Sequence, residues 1–218
     1  MNLKVAGSGL ALTVLAMVAS PACAEVTGPA VVASAGVQAP RPATLLVPAD
    51  FHVPTRVEAA GFRIVPLAPA LAKIDFDAYM ASIEHLQKTF SRSTNWPREG
   101  ISAADAVKDM ETEQARFQAR KSFAYSVLTP DGTRERGCVY VYPSTVPGYD
   151  AVVRMWVTKA EYDAGFDAEL YQWVTDWVRA DWPFEKVAYP GRAIEWGAWD
   201  AMVAATKAGK AASGAQGS

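Results

Sequence analysis

Apolar positions along this chain change period several times, and each change predicts an element. Phe62 to Leu67 (FRIVPL) reads as a short strand, with Pro66 confining it to an edge or an end. Phe76, Met80, Ile83, Leu86 and Phe90 then recur at helical spacing, which predicts a helix from about Phe76 to Thr89 with Asp75 placed to cap its start. A second helix opens after Ser102, with Val107, Met110 and Phe117 on one face and Asp105, Asp109, Glu113 and Arg116 towards water. Two alternating runs follow, Phe123 to Thr129 and Arg134 to Tyr142. The turn residues Pro130-Asp131-Gly132-Thr133 between them make this a hairpin. In its second run Cys138, Tyr140 and Tyr142 point one way while Gly137, Val139 and Val141 point the other, so both faces need cover. Ala151 to Thr158 is a further strand. A polar loop holding Gly165 leads into an amphipathic helix from about Asp167 to Ala180, and the chain returns as a short strand, Lys186 to Tyr189. A strand-helix-strand crossover is right-handed and makes its two strands parallel, in a sheet otherwise joined by hairpins. Ile194, Trp196, Trp199 and Val203 suffice for one short amphipathic helix.

The two ends carry no such pattern. Residues 1–24 read as a secretory leader, because Lys4 precedes an apolar run from Val5 to Val18 and the small triplet Ala22-Cys23-Ala24 follows. Cleavage after Ala24 is expected. Acylation of Cys23 is the lesser alternative, since Ser20 stands where a larger aliphatic residue is usual. Residues 25–55, rich in Ala, Val, Gly and Pro, read as a linker that buries too little to offset its ordering entropy. The core domain is then 56–204, and 205–218 reads as a disordered tail.

Composition narrows the classes. A chain of 218 residues with these ends leaves room for one domain, and seven tryptophans supply ample material for a core. The formal charge of −2 gives no reason to expect nucleic acid. No stretch after the leader approaches the roughly 20 apolar residues a membrane helix needs, so no membrane insertion follows leader cleavage. The expected location is periplasmic or secreted. With the leader removed only Cys138 remains, so no internal disulfide can form.

Where the Ala151 strand feeds the Asp167 helix, backbone N–H groups and the positive end of a helix dipole meet, an arrangement that suits phosphate. The same residues also fit a purely structural account. Thr158 and Glu161 have capping-box spacing, Gly165 can end a helical turn in the left-handed conformation, and Asp167 can cap the long helix.

The order of strand, two helices, antiparallel meander and strand-helix-strand resembles the GNAT superfamily of N-acetyltransferases, over roughly residues 60 to 190. The segments that carry the likeness are Phe123 to Tyr142 (FAYSVLTPDGTRERGCVYVY) and Ala151 to Tyr189. The resemblance implies an α/β fold with a mixed, mostly antiparallel sheet flanked by helices and one parallel crossover. It also implies that Trp156, Val157 and Thr158 line a pantetheine arm, and that Lys159, Gly165 and Phe166 border a pyrophosphate loop. The family's Arg/Gln-x-x-Gly-x-Gly/Ala motif would have Gly165 as its central glycine. Tyr162 falls where Arg or Gln belongs and Asp167 where Gly or Ala belongs. Tyr189 is the nearest hydroxyl to the place of the family's general acid. Acetyl-CoA is the cofactor implied for an active enzyme. A non-catalytic relative that binds a small molecule or a protein is the alternative.

Other candidate chemistry is sparse. His52 and His85 lie in different elements and make no metal pair. Glu84 and His85 are adjacent on a helix, about 100° apart, and form no dyad. Cys138 lies mid-strand and reads as a buried, inert thiol. Arg154 shares a face with Val152, Trp156 and Thr158 on a strand expected to be central, and must find either a carboxylate from the second helix or an anionic ligand.

Overall fold

The computed structural model describes residues 45–215. The leader and most of the proposed linker lie outside these residues. Six strands form one sheet in sequence order: β1 (Val57–Ala59), β2 (Phe62–Pro66), β3 (Phe123–Leu128), β4 (Glu135–Pro143), β5 (Ala151–Val157) and β6 (Val187–Ala188). Every neighbouring pair is antiparallel except β5 with β6. This is the mixed, mostly antiparallel sheet with one parallel crossover that the apolar periods predict. The hairpin partner β1 goes unpredicted, because three residues of which the middle one is exposed leave no periodic trace.

Helices cover both faces. On one side lie α1 (Ala72–Met80), α2 (Ile83–Leu86) with a wider π turn at Gln87–Ser91, and α3 (Ala103–Gln118). The predicted single helix from Phe76 to Thr89 is therefore broken at Ala81-Ser82. Asp75 does not cap it; Asp75 lies inside α1 with its side chain buried. Ser102 caps α3 as expected, accepting from Asp105 N at 3.2 Å while its own amide donates to Asp105 Oδ2 at 2.9 Å. The inward face of α3 is Ala106 and Met110, and Val107 is exposed. This layer packs Leu67, Tyr79, Leu86 and Met110 against Ala124, Cys138 and Trp156.

The opposite face belongs to α5 (Phe166–Asp181), whose buried Phe166, Leu170, Val174, Trp177 and Val178 recur at helical spacing. They meet Phe62, Ile64, Tyr125, Val139, Val141 and Val153 in the larger core. Between β5 and α5 stands a five-residue helix, α4 (Lys159–Asp163). The two faces of β4 are thus both covered, Val139 and Val141 by α5 and Cys138 and Tyr140 by the α1–α3 layer.

The ends differ from expectation. Residues 45–55 are docked rather than loose: Val47 is buried, and Arg120 Nη2 and Tyr125 Oη donate to the carbonyls of Pro48, Phe51 and Pro54. Prolines lack an amide, but their carbonyls remain good acceptors, so a proline-rich segment can be fixed by donors from the core. At the other end α6 (Trp196–Ala215) continues well past Thr206. Residues 207–213 are exposed, and alanine-rich sequence has high helix propensity without needing burial. Among the described residues no helix is long and apolar enough to cross a membrane.

Candidate functional site

β5 and β6 pair only at Ala151 with Val187 and Val152 with Ala188. Beyond that point β6 ends, and β5 runs on to Val157 with no strand beside that edge among the described residues. The parting opens a cleft of about 260 Å³, lined among others by Phe90, Arg154, Tyr162, Asp167, Arg192 and Trp196. A second, more open groove of about 550 Å³ shares Lys88, Thr89 and Tyr162 with it and reaches His85 and Lys159.

The turn from β5 to α5 resolves most of its own hydrogen bonds. The Thr158 amide donates to the Arg136 carbonyl at 3.0 Å and the Lys159 amide to Ser82 Oγ at 3.0 Å. Thr158 Oγ1 accepts from the Glu161 amide, and the amides of Tyr162, Ala164 and Gly165 bond to carbonyls within the same turn. Glu161 does not reach back to complete a capping box. Its carboxylate instead takes Arg134 Nη1 and Arg136 Nη2, each at 2.6 Å. Gly165 ends α4 at φ 84°, a left-handed conformation that L side chains rarely adopt. Gly165, not Asp167, is the N-cap of α5, and it has no side chain to offer the free amides of the first turn. Those amides are the part of the phosphate seat that stays open.

Asp167 sits in that first turn and is held by both guanidinium nitrogens of Arg192, with Nη2 to Oδ1 at 2.6 Å. An acidic side chain here suits the helix dipole. The pair is electrically neutral, so the acidic residue at the motif position is matched by a cation that arrives from the turn after β6.

Arg154 has no such match. Its guanidinium bonds the Phe90 carbonyl, lies 4.4 Å over the Phe90 ring and 5.2 Å from the Trp196 ring, and leaves Nε without a partner. No carboxylate from α3 pairs with it. Arg92, also on Trp196 at 4.6 Å, is engaged by Asp200 at 2.7 Å. Burial is the largest influence on Arg154 and disfavours its charge. A half-buried arginine facing a cleft without a counter-ion is an anion site in waiting.

The remaining sequence-derived candidates occupy other surroundings. Trp156 is buried and its Nε1 donates to Tyr140 Oη at 3.3 Å; Val157 is buried in the larger core. Lys159 Nζ bonds Asp163 at 2.5 Å on the rim of the open groove. Phe166 is buried under the Arg136 guanidinium, 3.4 Å above its ring. Tyr189 packs in the core 5.8 Å from Tyr171, where burial pushes its phenol up to about 12. His85, on the groove, is lowered chiefly by burial and lies 4.8 Å from the Tyr162 ring. Sequence reasoning missed Phe90, Arg192 and Trp196 as cleft residues. The signal for Arg192 was its place after Pro190-Gly191, a turn that points a side chain back over the sheet end.

No protein-family model matches the sequence, and no curated protein matches it. Solved structures do. A probable acetyltransferase superposes with a TM-score of 0.51 at 14% identity, over 62% of this chain and 72% of that one. A ribosomal-protein-S5-alanine acetyltransferase from Vibrio fischeri gives 0.47 at 12% identity, over 57% and 67%. A putative GNAT-family acetyltransferase from Bordetella pertussis gives 0.43 at 16% identity, over 58% and 73%. The chain thus spans 67% to 73% of the length of these structures. The likeness is one of fold: the chain shares its architecture with a solved probable acetyltransferase.

Proposed function

We propose that this chain is an N-acyltransferase that takes its acyl group from an acyl-CoA, with acetyl-CoA as the donor to try first. One observation carries the reading: β5 continues past the end of β6, so its edge from Val153 to Met155 faces a cleft that also reaches Asp167 in the uncapped first turn of α5. An extended pantetheine arm can hydrogen-bond such an edge as an added strand would, and the helix end can meet its diphosphate. Lys88 on the adjoining groove adds positive charge where the remainder of a coenzyme would leave the cleft. In the reaction the amine nitrogen attacks the thioester carbonyl, the C–N bond forms, and the C–S bond breaks to release a thiolate. His85 is the group on the groove suited to take the amine proton, because its lowered pKa keeps the imidazole neutral near pH 7.

A second reading rests on Arg154 and on the amides of α4, which are spent on internal partners. Here the cleft holds a small anion such as a carboxylate and transfers nothing. Export favours this reading, because acyl-CoA belongs to the cytoplasm. The leader, and with it a periplasmic or secreted location, is part of the proposal.

Thermal shift separates the two. A ligand of the folded state at about 100 times its dissociation constant adds roughly 2.7 kcal/mol, a rise of several degrees. Acetyl-CoA should give this rise, and release free thiol when a panel of amines is added. A shift with small carboxylates but none with millimolar acetyl-CoA would replace the enzyme by the binding protein. Fractionation of tagged full-length protein tests export.

A further inference from the structure

Beneath α1, on the face of the sheet away from α5, three acidic groups meet at one point. Cys138 Sγ lies 2.8 Å from Glu135 Oε1 and 3.5 Å from Asp75 Oδ1, and the three candidate ligand atoms lie within 4.8 Å of one another. Asp75 comes from α1, whereas Glu135 and Cys138 come from β4. All three are buried, Glu135 to 2% exposure and Cys138 to 0%.

Glu135 and Cys138 are three positions apart, a spacing that in a regular strand sends side chains to opposite faces. The register explains their meeting. Leu128 pairs with Glu135 and Val127 with Gly137, so Arg136 is an extra residue, a β-bulge that turns Glu135 to the Cys138 side. Bulges of this kind re-aim side chains, often at sites of function. Across the ladder Ser126 is directly opposite Cys138 and shares its face. Ser126 Oγ is wholly buried and stands near enough to Glu135 to favour its ionised form, yet neither it nor Glu135 Oε2 completes a hydrogen bond of good geometry.

The charges around this point have one sign. Neither Asp75 nor Glu135 takes part in an ion pair among the described residues, and the charged neighbours acting on the cluster are acidic: Asp109 on Asp75, and the cluster's own members on one another. Without a cation the three groups must hold together by sharing protons, with Glu135 hydrogen-bonded to Asp75 as well as to Cys138. Buried carboxylates are otherwise found paired with a cation or coordinating a metal.

We propose that Asp75, Glu135 and Cys138 form a buried site for a divalent cation of the zinc class, with Ser126 as a supporting group behind Glu135. One thiolate with two carboxylates suits zinc or cobalt better than magnesium or calcium, which take oxygen ligands alone. Tetrahedral zinc with bonds of about 2.3 Å to sulfur and about 2.0 Å to oxygen sets sulfur and oxygen roughly 3.5 Å apart. The Cys138–Asp75 separation already has this value, and Glu135 must retreat by several tenths of an ångström. A fourth ligand can be water, since a cavity of about 300 Å³ borders Glu135 and one of about 270 Å³ borders Asp75. On loading, zinc–sulfur and zinc–oxygen bonds form while the thiol loses its proton to solvent, together with any proton the two carboxyls share.

The test uses the full chain with Cys23→Ala, so that Cys138 is the sole thiol, stripped with chelator and titrated with cobalt. The expected result is a thiolate-to-cobalt charge-transfer band in the near ultraviolet that saturates at one equivalent and is abolished by zinc. Zinc added in weak buffer at neutral pH should release at least one proton per chain, that of the thiol. Cys138→Ser should lose the band, and Ser126→Ala should weaken cobalt binding about 10-fold. No band from the folded, stripped chain would overturn the site, as would binding that survives Cys138→Ser. If Cys138→Ser fails to fold, the band and the proton count of the parent chain decide alone.

Discussion

Arg192 Nη2 donates to Asp167 Oδ1 at 2.6 Å, tying the turn after β6 to the first turn of α5. The pair stands over the helix end where a diphosphate would sit, so each partner has an opposite effect on an incoming anion. Asp167→Asn should tighten acetyl-CoA binding about 5-fold, and Arg192→Ala should weaken it by a similar factor, since a unit charge about 4 Å away is worth on the order of 1 kcal/mol in water. Isothermal titration of the two variants checks the signs. Equal effects in one direction would mean that the ligand sits elsewhere.

Arg154 separates stability from binding. Its guanidinium is largely buried without a carboxylate, and such a group contributes little net stability because its desolvation is not offset. Arg154→Met keeps the packing on Phe90 and Trp196 and should leave the urea midpoint unchanged or raise it. Binding of the cleft ligand should fall at least about 10-fold, the loss expected for one charge-assisted hydrogen bond of about 1.5 kcal/mol. A fall in stability equal to that of a core truncation would show that Arg154 is structural.

The parts of this architecture that were legible in the sequence are those whose side-chain period coincides with burial. β3, β4 and β5 are apolar runs set off by turn residues, and α5 repeats its apolar positions at helical spacing, so the sheet and crossover follow from pattern. The break at Ala81-Ser82 is hidden, because Met80, Ile83 and Leu86 keep helical spacing across it. At the break Ser82 Oγ accepts from the Lys159 amide, a contact 77 residues away in sequence. Glu135 was invisible for a similar reason: only the pairing register shows the bulge that turns it inward. Arg192 and Trp196 reach the cleft through a turn, and turns carry no period. Distance in sequence, more than weakness of local signal, concealed the site.

Gly191 offers a test of how the cleft is walled. It lies at φ 77°, and a Cβ there would come within 2.5 Å of the Trp196 ring. Gly191→Ala should cost roughly 1–3 kcal/mol through backbone strain, and more if the ring cannot yield. If Trp196 swings out instead, its fluorescence should shift to longer wavelength as the ring meets water. A variant with unchanged stability and emission would mean that this turn is not held against α6.

Glu161 fixes α4 to the sheet, and its titration gives the pH dependence a definite sign. Burial alone would raise its pKa, but the hydrogen bonds and charges of Arg136 and Arg134 outweigh burial and bring it below the ordinary carboxylate range. Between the folded and unfolded pKa values the unfolded chain binds more protons, so stability falls as pH falls. The contribution is therefore fully present above about pH 5, where an unfolded glutamate is already ionised, and is lost on acidification through the folded value. Glu161→Gln should cost about 1–3 kcal/mol at pH 7, because charge-assisted bonds from two arginines are exchanged for weaker ones. Urea midpoints measured from pH 7 down to pH 3 should converge for parent and variant as the parent loses this contribution. Parallel curves over that range would show that the arginines hold Glu161 no better in the folded chain than water does in the unfolded one.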